Sequence, residues 1–144
     1  MLSASHALAL TTVALFLKMF ATAGVQGLVR MRSRTFVNPE DAAAFGRTGA
    51  APADHPTAER AQRALRNDLE NIPIFLFLAH AYVELGCWEL GVHIYLPLFV
   101  LARIGHTIAF IRPTQPLRNR LYLVGVLVNL VLSGHIVAAI VASL

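Results

Sequence analysis

Charge is scarce in this sequence. Only 14% of its 144 residues are Asp, Glu, Lys or Arg, where a soluble domain carries about a quarter, and that shortage excludes an ordinary water-facing surface. Cysteine is nearly absent as well. The single Cys87 rules out an intramolecular disulfide and any thiolate cluster for zinc or iron–sulfur chemistry. No internal repeat is present, and no low-complexity tract beyond a short Ala-rich patch. The net charge of +4 comes without any nucleic-acid motif, so nucleic acid is not expected as a partner.

What the chain has in quantity is apolar sequence, at 56% of residues. The few charges are clustered: of twelve Lys and Arg, seven lie between Arg30 and Arg66 and three between Arg112 and Arg120. Long apolar runs alternate with these clusters, as in a small multispanning membrane protein. The first run, Ala7 to Val29, is long enough to cross a hydrocarbon core of about 30 Å. Ala21-Thr22-Ala23 looks like a cleavage site, yet no basic stretch precedes the run, Lys18 interrupts it, and Arg30, Arg32 and Arg34 follow as a stop signal. It is therefore expected to be a retained helix.

Residues 35–58 read as a polar loop with one short helical turn after Pro39, punctuated by Gly46, Gly49, Pro52 and Pro56. Thr57 is placed to cap a helix starting at Ala58. That helix begins in water and enters the membrane, ending at a tight Gly86–Gly91 connection. A run from Val92 to Ile111 contains Pro97, Arg103 and His106, and a polar turn leads to an uncharged run from Leu121 to Leu144. The expected architecture is all-α, a single domain over 1–144. It is an integral membrane four-helix bundle with spans at about 7–29, 67–86, 92–111 and 119–142 and a loop at about 30–62. Arginine asymmetry places that loop in the cytoplasm.

Ionisable residues at membrane depth are costly and need a partner, a cavity or a function. Lys18, Glu70, Arg103 and His106 are the candidates here, with Arg30, Arg63, Arg66 and Arg118 at the boundary. The acids near the same face are Asp41, Asp68 and Glu70, too few to neutralise the cations, and surplus positive charge invites an anionic ligand. Arginine suits fork-like capture of carboxylates, and Asn67 offers both a donor and an acceptor.

The segment Glu59-Arg60-Ala61-Gln62-Arg63-Ala64-Leu65-Arg66-Asn67-Asp68-Leu69-Glu70-Asn71 resembles the signature of the MAPEG family, membrane-associated proteins in eicosanoid and glutathione metabolism. Phe36-Val37-Asn38-Pro39-Glu40-Asp41 and Ala102-Arg103-Ile104-Gly105-His106-Thr107-Ile108-Ala109-Phe110 agree with it in order and spacing. Lys18-Met19 and Gln115-Pro116-Leu117-Arg118 fit as well. The likeness runs from about residue 10 to about 125 and is nearest to the microsomal glutathione transferase and prostaglandin E synthase branch.

The resemblance implies a homotrimer with glutathione as cosubstrate, bound between neighbouring subunits near the cytoplasmic face. Arg30, Arg63, Arg66, Asn67, Glu70, His106 and Tyr122 would line the glutathione site. Arg118 would face the sulfur, with Asp41 as its catalytic companion. The expected activity is glutathione transfer or peroxide reduction on a hydrophobic electrophile or lipid hydroperoxide, without metal. Independently of the resemblance, the short loops and lack of a targeting signal suit a bacterial inner membrane, with a eukaryotic endomembrane as the alternative. The alternative is a non-catalytic lipid-binding or regulatory protein on the same scaffold. Relatives carry a tyrosine contacting glutathione where this chain has Phe110, which cannot donate a hydrogen bond.

Other polar residues read as structural. Lys18 is expected to pair across helices or to snorkel, and Arg103 is either the buried partner of an acid or a ligand contact. Glu70, which taken alone would pair with Arg63 or Arg66, is given to the glutathione site by the surrounding motif. His80 with Glu84, and Glu89 with His93, lack further ligands for a metal. Asn129 and His135 read as interhelical hydrogen-bonding residues, Tyr82 and Trp88 as interface anchors, and Cys87 as inert.

Overall fold

The computed structural model describes residues 2–46 and 49–144; Arg47 of the first basic cluster lies outside them. Among the described residues there are five helices and no strand. The helices are α1 (Ala4–Ser33), α2 (Pro39–Phe45), α3 (Pro56–Glu84), α4 (Glu89–Ile111) and α5 (Gln115–Ser143).

Local chemistry sets the boundaries. Ser3 caps α1 by accepting the His6 N–H, and Arg34 closes it in the left-handed conformation at φ 54°. Arg30 and Arg32 sit in its last turn, where cations complement the helix dipole. The short turn expected after Pro39 is α2. The next helix starts earlier than Thr57 suggested. Pro56 occupies the first turn, where its missing N–H costs nothing, and His55 is the cap, its ring Nδ1 accepting the Thr57 N–H at 3.2 Å. α3 and α4 continue through Pro73 and Pro97. Gly86, at φ 59°, lets the chain reverse after α3, and the Cys87 N–H returns to the Tyr82 carbonyl at 3.2 Å.

The long helices run up and down. α1 packs on α3 and α4, α4 also on α3 and α5, and α5 also on α3. Leu15, Ile72, Phe75, Ala79, Leu96, Phe99, Val128 and Leu132 form the shared core. At its centre the Phe75 and Phe99 rings stack with centroids 3.7 Å apart. One end of the molecule therefore collects the end of α1, the start of α3, the end of α4 and the start of α5, and with them almost every arginine.

α1, α4 and α5 are each long and apolar enough to cross a membrane. Their outer faces expose large apolar residues such as Phe16, Phe20, Leu123, Leu130 and Val141, a surface that suits lipid. α3 is long enough, but Asp68, Glu70 and Glu84 interrupt its apolar half. Its exposed stripe mixes Leu69, Ile74 and Phe77 with Glu70, His80 and Glu84.

Candidate functional site

The first turns of α3 present Glu59, Gln62, Arg63 and Arg66 along one cleft of about 280 Å³. Arg63 donates to Glu59 at 3.1 Å, an exposed pair one turn apart. Arg66 and Glu70 are both exposed and have no ion-pair partner among the described residues. The structural alternative for Glu70 is therefore not made: Arg63 is drawn to Glu59, and no Arg66–Glu70 ion pair forms among the described residues. A second cleft of about 420 Å³ shares Glu59 and Gln62 with the first and adds Arg30, Asn38 and Asp54. Arg30 binds Asp54 through Nε at 2.9 Å and Nη2 at 2.5 Å. Those bonds hold the Asp54 carboxyl below the usual carboxylate range, against the opposing effect of burial and with help from the His55 N–H. Asp41 accepts from Asn38 at 3.1 Å and lines a small pocket with Arg30.

A second group forms where α4 ends and α5 begins. The Arg118 guanidinium lies 4.7 Å above the Phe110 ring, a cation–π arrangement. His106 is buried, with its ring 5.7 Å from Phe110 and 6.3 Å from Tyr122. Its Nδ1 has no hydrogen-bond partner among the described residues. Arg118 has no acidic partner among them either. The structure thus brings Arg30 and Asp41 together, Arg63 with Arg66, and Arg118 with His106 and Tyr122. It records no contact between Asp41 and Arg118 within one chain.

Between these groups lies a network that sequence reasoning did not assemble. Asp68 is completely buried and accepts from Lys18 of α1 through one oxygen. Its other oxygen accepts from Arg103 of α4, at 3.1 Å to Nε and 2.6 Å to Nη2. The same Nη2 donates to Asn67 Oδ1 at 2.7 Å. Lys18 and Arg103 do pair with an acid across helices. Asp68 therefore belongs to the interior, away from the acids of the clefts, and the Asn67 acceptor is already occupied. The available signal was the coincidence of two cations and one acid at similar membrane depth on three helices.

The family model described as MAPEG family matches residues 8–138. The chain belongs to the MAPEG family. Prostaglandin E synthase of Homo sapiens is 37% identical over 114 residues, covering 78% of this chain and 74% of its own. Its Mus musculus counterpart is 39% identical over the same length and shares. Microsomal glutathione S-transferase 1 of Rattus norvegicus is 38% identical over 112 residues, 75% of this chain and 72% of that protein. Membership, with three span-capable helices, makes this an integral membrane protein.

This MAPEG chain also has a largely apolar groove of about 350 Å³ between α1 and α4, lined by Ala21, Val25, Ile104, Ile108 and Ile111 together with Lys18, Thr22 and Thr107. At the end remote from the arginines, Tyr82 is wholly buried and so is no interface anchor. Its hydroxyl donates to the Trp88 carbonyl at 3.0 Å and lies 3.2 Å from His135 Nδ1. Trp88 is half exposed, as an anchor would be. His135 makes the interhelical bond expected of it. Asn129 Oδ1 is buried without a partner among the described residues. No group of acids, histidines and cysteine that could hold a metal occurs among the described residues.

Proposed function

We propose that this protein is a membrane glutathione transferase or peroxidase, in which Arg118 stabilises the glutathione thiolate. The observation that carries the reading is Arg118 itself: a guanidinium seated on an aromatic ring with its charge left unneutralised. A thiol has a pKa near 8.5 and reacts as its thiolate, so an adjacent unpaired cation raises the reactive fraction at neutral pH. Each unit of depression corresponds to about 1.4 kcal/mol of preference for the anion.

The donor set suits the rest of a tripeptide with two carboxylates and one amine. Arg63, Arg66 and the Asn67 amide offer donors, Glu70 offers an acceptor for the amine, and Arg30, His106 and Tyr122 complete the lining. The relatives named for prostaglandin E synthesis and glutathione transfer support the same class. In conjugation the thiolate sulfur forms a bond to an electrophilic carbon and displaces its leaving group. In peroxide reduction the sulfur takes the distal oxygen, the alkoxide collects a proton, and a second glutathione converts the sulfenic acid to disulfide and water. The apolar α1–α4 groove would admit a hydrophobic electrophile or lipid hydroperoxide from the bilayer.

In this reading α3 is the fourth span and the active unit is a homotrimer. Its exposed stripe carries Glu70 and Glu84 among apolar residues, a surface that lipid would not accept and a second copy would. Such packing would bring the Arg63 and Arg118 groups of neighbouring copies into one pocket, with Asp41 supporting it. The arginine-rich end would face the cytoplasm of a bacterial inner membrane.

The test is glutathione turnover by the detergent-solubilised protein with chlorodinitrobenzene and with a lipid hydroperoxide. Arg118→Ala is expected to lower kcat by about 10- to 100-fold, the worth of a hydrogen bond to a charged group. Unchanged turnover in that variant would refute the role given to Arg118. A folded wild type that binds lipid or glutathione without turnover would point to the non-catalytic scaffold instead.

A further inference from the structure

An asparagine side chain has one acceptor oxygen and one NH2 donor of similar shape, and a free one can present either to a ligand. Arg103 removes that choice at Asn67. A guanidinium only donates, and with its Nη2 at 2.7 Å the amide oxygen must face it. The NH2 group of the half-buried Asn67 is then directed away and makes no hydrogen bond among the described residues.

Arg103 is itself held by two bonds to one oxygen of Asp68, whose other oxygen is taken by Lys18. Each link has a single polarity: ammonium donates, carboxylate accepts, guanidinium donates, amide oxygen accepts. The side chains of Lys18, Asp68 and Arg103 are 7%, 0% and 1% exposed, so the links are shielded from bulk water. Two cations against one acid also leave the network with one formal positive charge.

From this we infer that Lys18, Asp68 and Arg103 are positioning residues that hold Asn67 as a donor-only contact for a glutathione carboxylate. A carboxylate is acceptor-only, and a flipped amide would turn an oxygen against it. The inference rests on the glutathione reading above and adds three residues that touch no substrate. It differs from simple pinning of three helices because it predicts that Arg103 acts on the ligand through Asn67 alone.

The experiment is a double-mutant cycle on glutathione Kd, by calorimetry on the purified protein, with melting and oligomer size recorded for every variant. Asn67→Ala should weaken binding by about tenfold, as expected for a hydrogen bond to a charged group. Arg103→Lys keeps a cation beside Asp68, but one ammonium does not reproduce the fork that spans Asp68 and Asn67. It should cost about threefold to tenfold, and the double variant should bind no worse than Asn67→Ala. Losses that multiply, or an Arg103→Lys protein that binds like wild type, would overturn the positioning chain. Should Arg103→Lys fail to fold, Lys18→Gln takes its place in the cycle, since Lys18 acts on the ligand only through Asp68, Arg103 and Asn67. It should weaken binding severalfold and add nothing to Asn67→Ala, and multiplicative losses or wild-type binding would defeat the idea. If the wild type binds no glutathione, the glutathione reading fails and takes this inference with it; binding with multiplicative losses defeats the positioning chain alone.

Discussion

Where α3 gives way to α4, Tyr82 is buried, its hydroxyl is bonded to the Trp88 carbonyl and set beside His135, and the Tyr95 ring meets both Tyr82 and His135 edge-on. Where α3 begins, Arg66 and Glu70 are exposed and Arg118 rests on Phe110 without an acid. The first end is closed at its centre by neutral hydrogen bonds and aromatic contacts within one chain, with the acids Glu84 and Glu89 exposed at its rim. The second carries unmatched cations and exposed donors. Evolutionary choice of residue explains little here without physics: a helix end finished internally contributes stability, whereas one left with unsatisfied cations keeps binding capacity for something else.

The sharpest way to break this contrast is Asp68→Asn, which would leave Lys18 and Arg103 buried without their shared anion. Removing one member of a buried pair costs about 3–5 kcal/mol. Thermal melting in detergent should fall steeply, and an unchanged melt would show that the network does not hold α1, α3 and α4 together. At the closed end, Tyr82→Phe should cost only about 1 kcal/mol, the net worth of a neutral hydrogen bond. It should lower the melting temperature slightly and leave glutathione turnover per folded protein unchanged. A loss of turnover there would erase the division between the ends.

The smallest expected effect concerns the Arg30–Asp54 pair. The folded carboxyl is held below its usual range, chiefly by the Arg30 hydrogen bonds. Its contribution is therefore complete above the ordinary carboxylate value of about 4 and is lost as pH falls through the depressed folded value. Hydrogen exchange of residues 53–55, corrected for intrinsic rate, should stay flat from neutral pH down to about 4 and rise below it. Asp54→Asn should remove that transition while leaving the rest of the chain unaltered.

The helices were legible because apolar run length and arginine placement are one-dimensional signals. The first, third and fourth runs correspond to α1, α4 and α5 with ends shifted by a few residues, and the shift at Pro56 came from a histidine cap that no propensity rule singles out. The family was legible because the Glu59–Asn71 signature lies on one continuous stretch. The Lys18–Asp68–Arg103 network was not, since its members are 50 and 35 residues apart and nothing local indicates which acid they share. Tyr82 was misplaced for the same reason: a tyrosine near a helix end reads as an anchor until the loop carbonyl and His135 that bury it are known.

In the proposed four-span reading, the charges inside α3 also bear on how the chain enters the membrane. A lone Lys18 or Asp68 near the middle of a helix costs about 2.5–3.5 kcal/mol on insertion scales, which α1 can offset from its long apolar run and α3 cannot. Inserted as a hairpin, the two residues neutralise each other before either meets hydrocarbon. On that reading an α1–α3 hairpin is a less costly unit to insert than α3 alone.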